Sequence, residues 1–576
     1  MNRQRGALTF IVPLIMVIIV LFGTLAIDGA RLYSLRQDMQ SQVNAAATAA
    51  AGAAKACSGP EVELSEIRRR ALVAAREQGF DGDDADLVVE PGVMYGNEED
   101  GTVSFKKEAQ LEKTNAVFVQ YEKDVPISLL LPAETFGSIP ISVNAAVRKE
   151  VIATISASGG TLLVDSGILG GLLGAVLGQP GYTLDPTSLS SLRNTTVLLG
   201  DLLNELGVNR VEDLLPIGGA ELARALSAVG GGASGVGRLL DDLASASGIE
   251  TIKVADILKV VENTSVPANS EFPLYDVVIS LTLNLLEELQ ESNSDGLVYL
   301  PLDVNLGLPG VAEVSATVGL HVGEPSSLAI GPATRDDDGA WATQFYAPDI
   351  SLLVAASVNV LSLPGTSVGV ADIDLPLAVE VGGGKGALVS AECAEGIEND
   401  VLFGVEIERE VARVASGRIN KSTGQVISEP VKIGLLGLFP LLPKLIEVSA
   451  VVDGTVPGGN EEVLLEPGYP LYCSEGEGCA KVSYQDSGAG PSGLDLSVDL
   501  DDTKLLGLEL GWLLNPLVNG LTDLLDDVLG LLVSGLVNPL LSTLGVGLGS
   551  MSVTVTGANQ DHIQLVEGVV LEEQGP

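Results

Sequence analysis

The first pattern along the chain is a long apolar run followed by an amphipathic repeat. Ala7–Ile27 carries no charged side chain over 21 residues, and about 20 apolar residues are enough to cross a bilayer as a helix. No proline occurs in the thirty residues after Asp28. Apolar residues there recur at steps of three and four, which places them on one helical face: Leu32, Leu35, Met39, Val43, Ala46, Ala50 and Ala53. The pattern predicts one continuous helix that begins in a membrane and emerges as an amphipathic stalk.

A cleaved signal peptide is the alternative interpretation of the apolar run. Its core would be about 7–15 residues long and would precede a cleavage site of small residues. The run here is longer, and Leu25-Ala26-Ile27-Asp28 is a poor cleavage site. The pattern therefore favours an uncleaved anchor.

The period of the pattern then changes from helix to strand. A second helix is predicted at Glu61–Gln78, ended by Gly79. Period-two alternation separated by Gly, Asn and Pro follows it and predicts four strands, at Val88–Glu90, Thr102–Phe105, Ala116–Tyr121 and Ile139–Ala146.

A Leu- and Gly-rich stretch follows, with short candidate helices at Thr196–Leu206, Val211–Leu215, Ala220–Val229, Val236–Ala244 and Lys253–Val261. Glycines between 167 and 178 have the small-xxx-small spacing of close helix contacts in membranes. The alternative, a flexible Gly-rich turn region in a soluble helical insert, is favoured because so many glycines make a poor span. Leu274–Leu289 has a clear amphipathic helical pattern.

Most of the remaining chain alternates as antiparallel β structure. The predicted strands are Leu300–Leu306, Ala312–His321, Ile350–Leu361, Val368–Val381, Val401–Val414 and Ile446–Val452. Two related sequences, Leu514-Asn-Pro-Leu517 and Val537-Asn-Pro-Leu540, then begin Leu-rich amphipathic helices, and strands return at Val553–Val555 and Ile563–Val570.

These patterns predict an α+β chain of six segments. The segments are 1–27 as a cytoplasmic start and transmembrane helix, 28–80 as amphipathic stalk helices, 81–157 as a small β module, 158–292 as a Leu/Gly-rich helical insert, 293–501 as a larger antiparallel β domain, and 502–576 as amphipathic Leu-rich helices and closing strands.

The charge of the chain excludes one class of partner. The formal net charge is −45, with 76 acidic and only 31 basic residues. Such a surface repels nucleic acid and anionic lipid, so binding driven by the nucleic-acid backbone is not expected.

No motif supports catalysis, a cofactor or a metal. Gly365-Thr-Ser367-Val-Gly369 matches the residues of a nucleophile elbow, but it leads into a strand instead of a helix. The two histidines, His321 and His562, both lie in strand-like sequence. The acidic turn from Asp81 imitates an EF-hand loop but has Gly92 at the twelfth position, and Asp336–Gly339 is best interpreted as a hydrated turn.

A family resemblance is carried by the first residues. The sequence RQRGALTF…LFGTLAIDGARLYSLRQDMQSQVNAAATAAA resembles the N-terminal segment of TadG-like proteins of the Flp (tight adherence) pilus assembly systems. It shares a short basic start, Gly, one span, Asp-Gly, Arg-Leu-Tyr, a Gln/Asn-rich turn and an alanine run. The sequence TNAVFVQYEKDVPISLLLP…FGSIPISVNAAVRKE is similar to the first β module of the same family, so that the resemblance extends over about residues 1–157.

The resemblance implies a single-pass protein of the bacterial inner membrane, with most of the chain in the periplasm or exposed outside. The expected function is non-enzymatic assistance in the assembly or surface presentation, and hence the adhesion, of an Flp/Tad-type pilus, with pilus-assembly or secretion-platform proteins as partners. The alternative is a binding module that holds lipid or peptide in an apolar groove between the Leu-rich helices.

Two sets of residues are predicted to matter in this setting. Leu32, Leu35, Met39 and Val43 are a candidate face for a partner, and the alternative is that this face packs on the protein's own β module. Cys473 and Cys479 are expected to form a disulfide, because close cysteines pair in an oxidising compartment. Cys57 and Cys393 remain unassigned.

Overall fold

The computed structural model describes residues 5–97, 102–128, 137–157, 166–230, 235–261, 266, 270–308, 312–360, 373–393, 402–435, 446–465, 481–485, 497–505, 508–509, 511–559 and 563–571. The α-helices are α1 (Arg5–Ala51), α2 (Leu64–Glu77), α3 (Ser166–Val176), α4 (Pro186–Asn194), α5 (Leu199–Leu206), α6 (Gly219–Val229), α7 (Gly235–Leu243), α8 (Val254–Ile257), α9 (Leu274–Glu291), α10 (Gly511–Leu532) and α11 (Asn538–Thr543).

The strands form five sheets within these residues. They are β1 (Leu87–Asn97), β2 (Thr102–Lys107), β3 (Ala116–Pro126), β4 (Ser138–Lys149), β5 (Ile152–Ala157), β6 (Thr196–Leu198), β7 (Leu258–Val260), β8 (Glu271–Pro273), β9 (Val298–Leu308), β10 (Ala312–Glu324), β11 (Leu328–Gly331), β12 (Gln344–Tyr346), β13 (Asp349–Val360), β14 (Ile373–Val381), β15 (Lys385–Ala391), β16 (Phe403–Arg409), β17 (Ala412–Ile419), β18 (Val426–Ser428), β19 (Val431–Leu435), β20 (Ile446–Val456), β21 (Gly459–Leu465), β22 (Lys481–Gln485), β23 (Ser497–Leu505), β24 (Leu508–Glu509), β25 (Val546–Gly547), β26 (Ser550–Asn559), β27 (Ile563–Glu567) and β28 (Val570–Leu571).

The first sheet packs against the N-terminal helix. Its strand order is β27-β4-β3-β1-β2-β28. Alternation along β3 explains its two faces: Val117, Val119 and Tyr121 lie in a core with α1 and α2, whereas Ala116 and Phe118 lie in a smaller core on the opposite face. We call α1, α2 and this sheet the N-terminal module.

Two strands from the far end of the sequence complete this sheet. β27 pairs antiparallel with β4, and β28 pairs parallel with β2. The sheet therefore joins strands from the predicted segments 81–157 and 502–576. The two edge strands of the sheet, β27 and β28, thus come from the end of the sequence. They cover the edges of β4 and β2 that would otherwise be open.

The largest sheet is antiparallel and lies in the middle of the sequence. It runs β24-β23-β20-β17-β14-β13-β10-β9, with β18 on β17 and β19 on β20. In β13 every second residue from Ile350 to Val360 is buried in the main core. This alternation is the expected pattern for a sheet with one face covered.

Two smaller sheets connect this region to the rest of the chain. One runs β22-β26-β5-β11-β7, and the other runs β12-β15-β16-β21. Because β5 pairs with both β11 and β26, it ties the end of the N-terminal module to two distant parts of the sequence. The fifth sheet is the two-stranded pair β6-β8.

The helices between 166 and 291 share one core with α10 and α11. Leu-rich residues of α3, α9, α10 and α11 all belong to the main buried cluster. The hydroxyl of the fully buried Tyr275, on α9, donates to the carbonyl oxygen of Thr543 in α11 at 2.8 Å. The two Leu-rich regions of the sequence thus bury their apolar faces against one another.

Candidate functional site at the N-terminal helix

The first part of α1 is apolar and open. Its side chains from Pro13 to Val20 are exposed, and so are Phe22, Leu25 and Ile27. A row of large apolar side chains open over several turns is not expected on a surface in contact with water. The length and composition of this helix permit it to cross a membrane.

A second helical stretch is also long and apolar enough to cross a membrane. It covers Thr522–Thr543, from within α10 to the end of α11, but 56% of its most apolar 18 residues are buried inside the protein. For Pro13–Ala51 the corresponding share is 6%. Burial therefore distinguishes the two, since a core helix has protein around it where a spanning helix has lipid.

The second part of α1 packs on its own module. Met39 is 1% exposed, and Val43 and the following alanines are buried with Val117, Val143 and α2. The alanines place little bulk between the helix and its neighbours, so α2 and the sheet approach it closely. Phe80 and Tyr121 close this core with an edge-to-face contact at 4.9 Å between ring centroids.

The predicted partner face divides along this helix. Met39 and Val43 pack against the chain's own sheet and α2. For these two residues, the structure therefore agrees with the alternative that the face packs on the protein's own β module. Leu35 is partly buried against the same cluster, and Leu32 is partly exposed one turn nearer the apolar run. The side of the helix that stays open at this level is polar and includes Tyr33, Gln37 and Ser41.

Polar contacts fix the helix to the sheet at both ends of the packed part. The guanidinium of Arg31 donates through Nη2 to the carbonyl oxygen of Pro126, at the end of β3. At the other end, the backbone N–H of Lys55 donates to Oγ1 of Thr114 at 3.3 Å. The helix therefore lies along the whole length of β3.

A disulfide joins the end of this helical region to the four-stranded sheet. Cys57 and Cys393 are bonded across 336 residues of sequence. The backbone N–H of Cys393 also donates to the carbonyl oxygen of Cys57 at 3.0 Å. Sequence reasoning left both cysteines unassigned; the even number of cysteines, with the other two close together, was the one signal that could have paired them.

A buried lysine lies beside this disulfide. Lys55 donates to the carbonyl oxygens of Gly59 and Pro60 at 3.1 and 3.4 Å, and its Nζ is 5.4 Å from the ring centroid of Trp341. Burial lowers the pKa of Lys55. The guanidinium of Arg335 lies over the same indole at 3.9 Å, so the ring has two cations near it.

A polar cavity of about 680 Å³ separates the N-terminal module from the central strands. Arg148 and Glu150 form a buried ion pair in its wall. Among the described residues, Nε of Arg148 and Oε2 of Glu150 have no hydrogen-bond partner. These atoms are themselves shielded by protein, and the pair joins the end of β4 to the residue just after it, before β5 begins.

The residues with potential chemistry are scattered. His321 is buried, with Nδ1 3.0 Å from the carbonyl oxygen of Gly296. Asp336 closes a tight turn by accepting from the N–H of Ala340 at 2.9 Å. In the ranges that the structure covers, no three acidic, His or Cys side chains are arranged to hold a metal ion. Ser367, His562 and the predicted pair Cys473 and Cys479 lie outside the described residues.

One carboxylate in the large sheet has a shifted pKa. Burial, with Glu410 and Glu380 nearby, raises the pKa of Asp349 to about 6, while His321 lowers it slightly. The carboxyl group is thus partly protonated under mildly acidic conditions. Burial and the acidic neighbours both disfavour the ionised form, so the ionised carboxylate of Asp349 destabilises the fold.

The Gly-rich stretch after residue 166 forms a buried helix, α3. The prediction of a flexible turn region, which its composition favoured, was therefore wrong. A Cβ at Gly170 would lie 2.8 Å from the carbonyl oxygen of Tyr182, and one at Gly174 would lie 2.9 Å from that of Gln179. The small residues therefore permit close packing, but against this chain's own backbone.

The comparisons with known proteins concern the same N-terminal helix. Residues 6–53 match the family model described as "Putative Flp pilus-assembly TadE/G-like". No curated protein and no solved structure matches the chain. The match begins one residue before the apolar run and ends two residues after α1, so it includes both the open and the packed parts of the helix. Over residues 6–53 this match confirms the resemblance inferred from the first residues, so this part of the chain is similar to the TadE/G-like proteins of Flp pilus assembly.

Proposed function

We propose that this chain is a non-enzymatic, membrane-anchored envelope protein that assists the assembly or surface presentation of an Flp/Tad-type pilus. The observation that carries the proposal is that the family match, at residues 6–53, coincides with α1. One part of that helix is apolar and open, as an anchor requires, and the other part carries a folded module.

The proposed location is the bacterial inner membrane, crossed once, with the bulk of the chain in the periplasm or outside. A single span is supported by the burial of the second apolar helix, which uses its leucines in the main core. No Lys or Arg occurs after Lys504. A second span would therefore have no basic residues to hold that end in the cytoplasm.

The partners proposed are pilus-assembly or secretion-platform proteins. Of the proposed partner face, Leu32 and Leu35 keep some exposure, whereas Met39 and Val43 are buried against the N-terminal module. A partner that approaches the stalk outside the membrane also meets the polar residues Tyr33, Gln37 and Ser41. We therefore propose that contacts with the stalk are made around Tyr33.

The alternative of a lipid- or peptide-binding groove between the Leu-rich helices is not supported. Those helices pack on each other in one core, with Tyr275 bonded to Thr543 across the contact. Their apolar faces are consequently used for folding.

The pilus role is tested first by deletion. Loss of the gene should reduce piliation and surface adherence, and restoration of the intact chain should return both. Normal piliation and adherence in the deletion strain would contradict the proposed role.

A point variant then tests the stalk contact. Tyr33→Arg with Gln37→Glu changes the open side of α1 without touching its buried side, so the protein should stay folded and in the membrane while piliation falls. The matched control is Val73→Arg on α2, another exposed position of the same module. Normal piliation in the Tyr33/Gln37 variant, at unchanged protein level, would exclude this contact.

A further inference from the structure

An apolar groove lies between α1 and the two residues that follow β3, Ile127 and Ser128. We call these two residues and Ile139, on the paired strand β4, the hairpin end. Its volume is about 670 Å³. Met16, Val17, Val20, Leu25 and Leu32 form one wall, and Ile127 lies on the other. This groove is distinct from the Leu-rich core, because its walls belong to the N-terminal module and to the open part of the helix.

The length of β3 fixes the height of the groove along the helix. Between Arg31 and its last residue, Ala51, α1 rises by about 30 Å at 1.5 Å per residue. The strand β3, from Ala116 to Pro126, extends by about 34 Å at 3.4 Å per residue. The end of β3 is bonded to Arg31, and the residues just before β3 are bonded to the turns after α1, so Ile127 reaches the last turns of the uncharged run.

Among the described residues beside the turn between β3 and β4, two aliphatic side chains are exposed at this height. Ile127 is 41% exposed and Ile139, which opposes Val125 across the hairpin, is 44% exposed. If α1 crosses a bilayer with Ala7–Ile27 in the hydrocarbon, these two side chains lie where the hydrocarbon meets the headgroups. The transfer of exposed aliphatic side chains from water into this part of the bilayer lowers the free energy.

We propose that the groove holds an acyl chain of a phospholipid from the membrane that α1 crosses, and that the hairpin end rests in the outer interface of that membrane. One wall of the groove, from Met16 to Val20, belongs to the apolar run itself. Lipid therefore surrounds this wall whatever the concentration of the protein in the membrane. A second copy of the chain would have to displace that lipid. This inference rests on the proposed membrane anchor.

The structural result is a second point of contact between the protein and the bilayer. A single helix leaves the module free to tilt about the point where it leaves the membrane. With the hairpin end also in the interface, the module has a defined height and orientation above the bilayer.

The test places a tryptophan at the hairpin end and measures quenching by lipid. The full chain carrying Ile127→Trp is reconstituted, one copy per lipid nanodisc, in phosphatidylcholine with or without bromines on the acyl chains. Phe22→Trp, in the apolar run, reports the anchor. Ile563→Trp is the matched control, because Ile563 is 49% exposed and pairs with Lys149, at the opposite end of the same sheet. The unsubstituted chain, with its two native tryptophans, gives the background.

The proposal expects brominated lipid to remove most of the added fluorescence of Ile127→Trp, as for Phe22→Trp, and none of that of Ile563→Trp. Quenching of Phe22→Trp without quenching of Ile127→Trp would overturn the inference and leave the anchor intact. Absence of quenching in both would refute the anchor itself, and the inference with it. If Ile127→Trp is quenched in single-copy discs but protected in multi-copy discs, a second copy takes the groove in preference to lipid, which also overturns the proposal.

Discussion

The disulfide between Cys57 and Cys393 is expected to be a large contribution to the stability of the folded chain. It ties the turns after α1 to the residues just after β15, two segments otherwise joined by short backbone contacts. The perturbation is the double substitution Cys57→Ser with Cys393→Ser. Serine is nearly the same size, so the change removes the covalent link and little else.

The magnitude follows from the length of chain that the bond closes. A cross-link stabilises a fold mainly by restricting the unfolded chain, and the restriction grows with the logarithm of the loop length. For a separation of 336 residues this relation gives about 6 kcal/mol, and measured losses are usually about 2–5 kcal/mol. We expect the double variant to lose about 5 kcal/mol of unfolding free energy in this region.

Trp341 offers a local probe of the effect. Its ring lies below the ammonium of Lys55, two residues before Cys57. The assay is urea unfolding of the full chain in detergent, followed by tryptophan fluorescence in a Trp512→Phe background. The midpoint should fall in the double variant. In a background that also carries Cys473→Ser and Cys479→Ser, a reductant should lower the midpoint of the parent to the value of the double variant and leave the double variant unchanged.

The matched control is Cys473→Ser with Cys479→Ser. The predicted bond between these two residues would close a loop of only about seven residues, for which the same relation gives about 2 kcal/mol. Mass spectrometry without reduction should find both linked pairs. An unchanged midpoint in the Cys57/Cys393 variant, or a larger effect from the short loop, would refute the loop-length reasoning.

Four further substitutions test other parts of the fold. Asp349→Asn should raise the free energy of unfolding by about 2–3 kcal/mol above pH 6 and leave it unchanged below pH 4. The sign follows because the raised pKa means that the folded state binds the proton more tightly than the unfolded state. The carboxyl group therefore destabilises the fold as pH rises from about 4 to 6. If urea titrations show that the variant is still more stable than the parent at pH 3.5, this origin is contradicted. Tyr275→Phe should cost about 1–2 kcal/mol, because the carbonyl oxygen of Thr543 loses its buried donor, and an unchanged urea midpoint would show that this contact contributes nothing. Gly170→Ala should destabilise the protein, since a backbone oxygen lies 2.8 Å from the new Cβ, whereas Gly530→Ala, an open helical position, should stabilise it by about 0.5–1 kcal/mol; thermal unfolding that shifts both variants in the same direction would rule out the packing explanation.

Elements defined by local periodicity were predictable from the sequence. The apolar run and the heptad-like repeat after it predicted α1, and alternation predicted β3, β4, β10 and β13 at nearly their observed positions. Each of these elements is long, so that several residues report the same period.

Predictions failed where short elements depend on their surroundings. Lys253–Val261 was predicted as one helix, but only Val254–Ile257 is helical, and Leu258–Val260 is a strand that pairs with β11. Val211–Leu215, also predicted as a helix, consists of turns. Val401–Val414 was predicted as one strand and forms two, β16 and β17, in different sheets. For Leu258–Val260 and for the two strands β16 and β17, a partner distant in sequence decides the conformation.

The predicted stalk face shows the same limitation at the candidate site. Periodicity identified Leu32, Leu35, Met39 and Val43 as one apolar face, but it carries no information about which surface covers that face. The structure covers most of it with the chain's own strands. The contact at Arg31, which brings the hairpin down to the apolar run, had no signal in the sequence.

The pairing of late strands with the first sheet has a consequence in time. The amide of Asn144 bonds to the carbonyl oxygen of Val569, 425 residues later in the chain. At a synthesis rate of about 5–20 residues per second, the ribosome needs about 20–85 s to produce that partner. During this interval β2 and β4 lack their outer partners, so their backbone groups are open to pairing with neighbouring chains. We therefore expect newly made chains to be most prone to mispairing in the period before their late residues close the sheet.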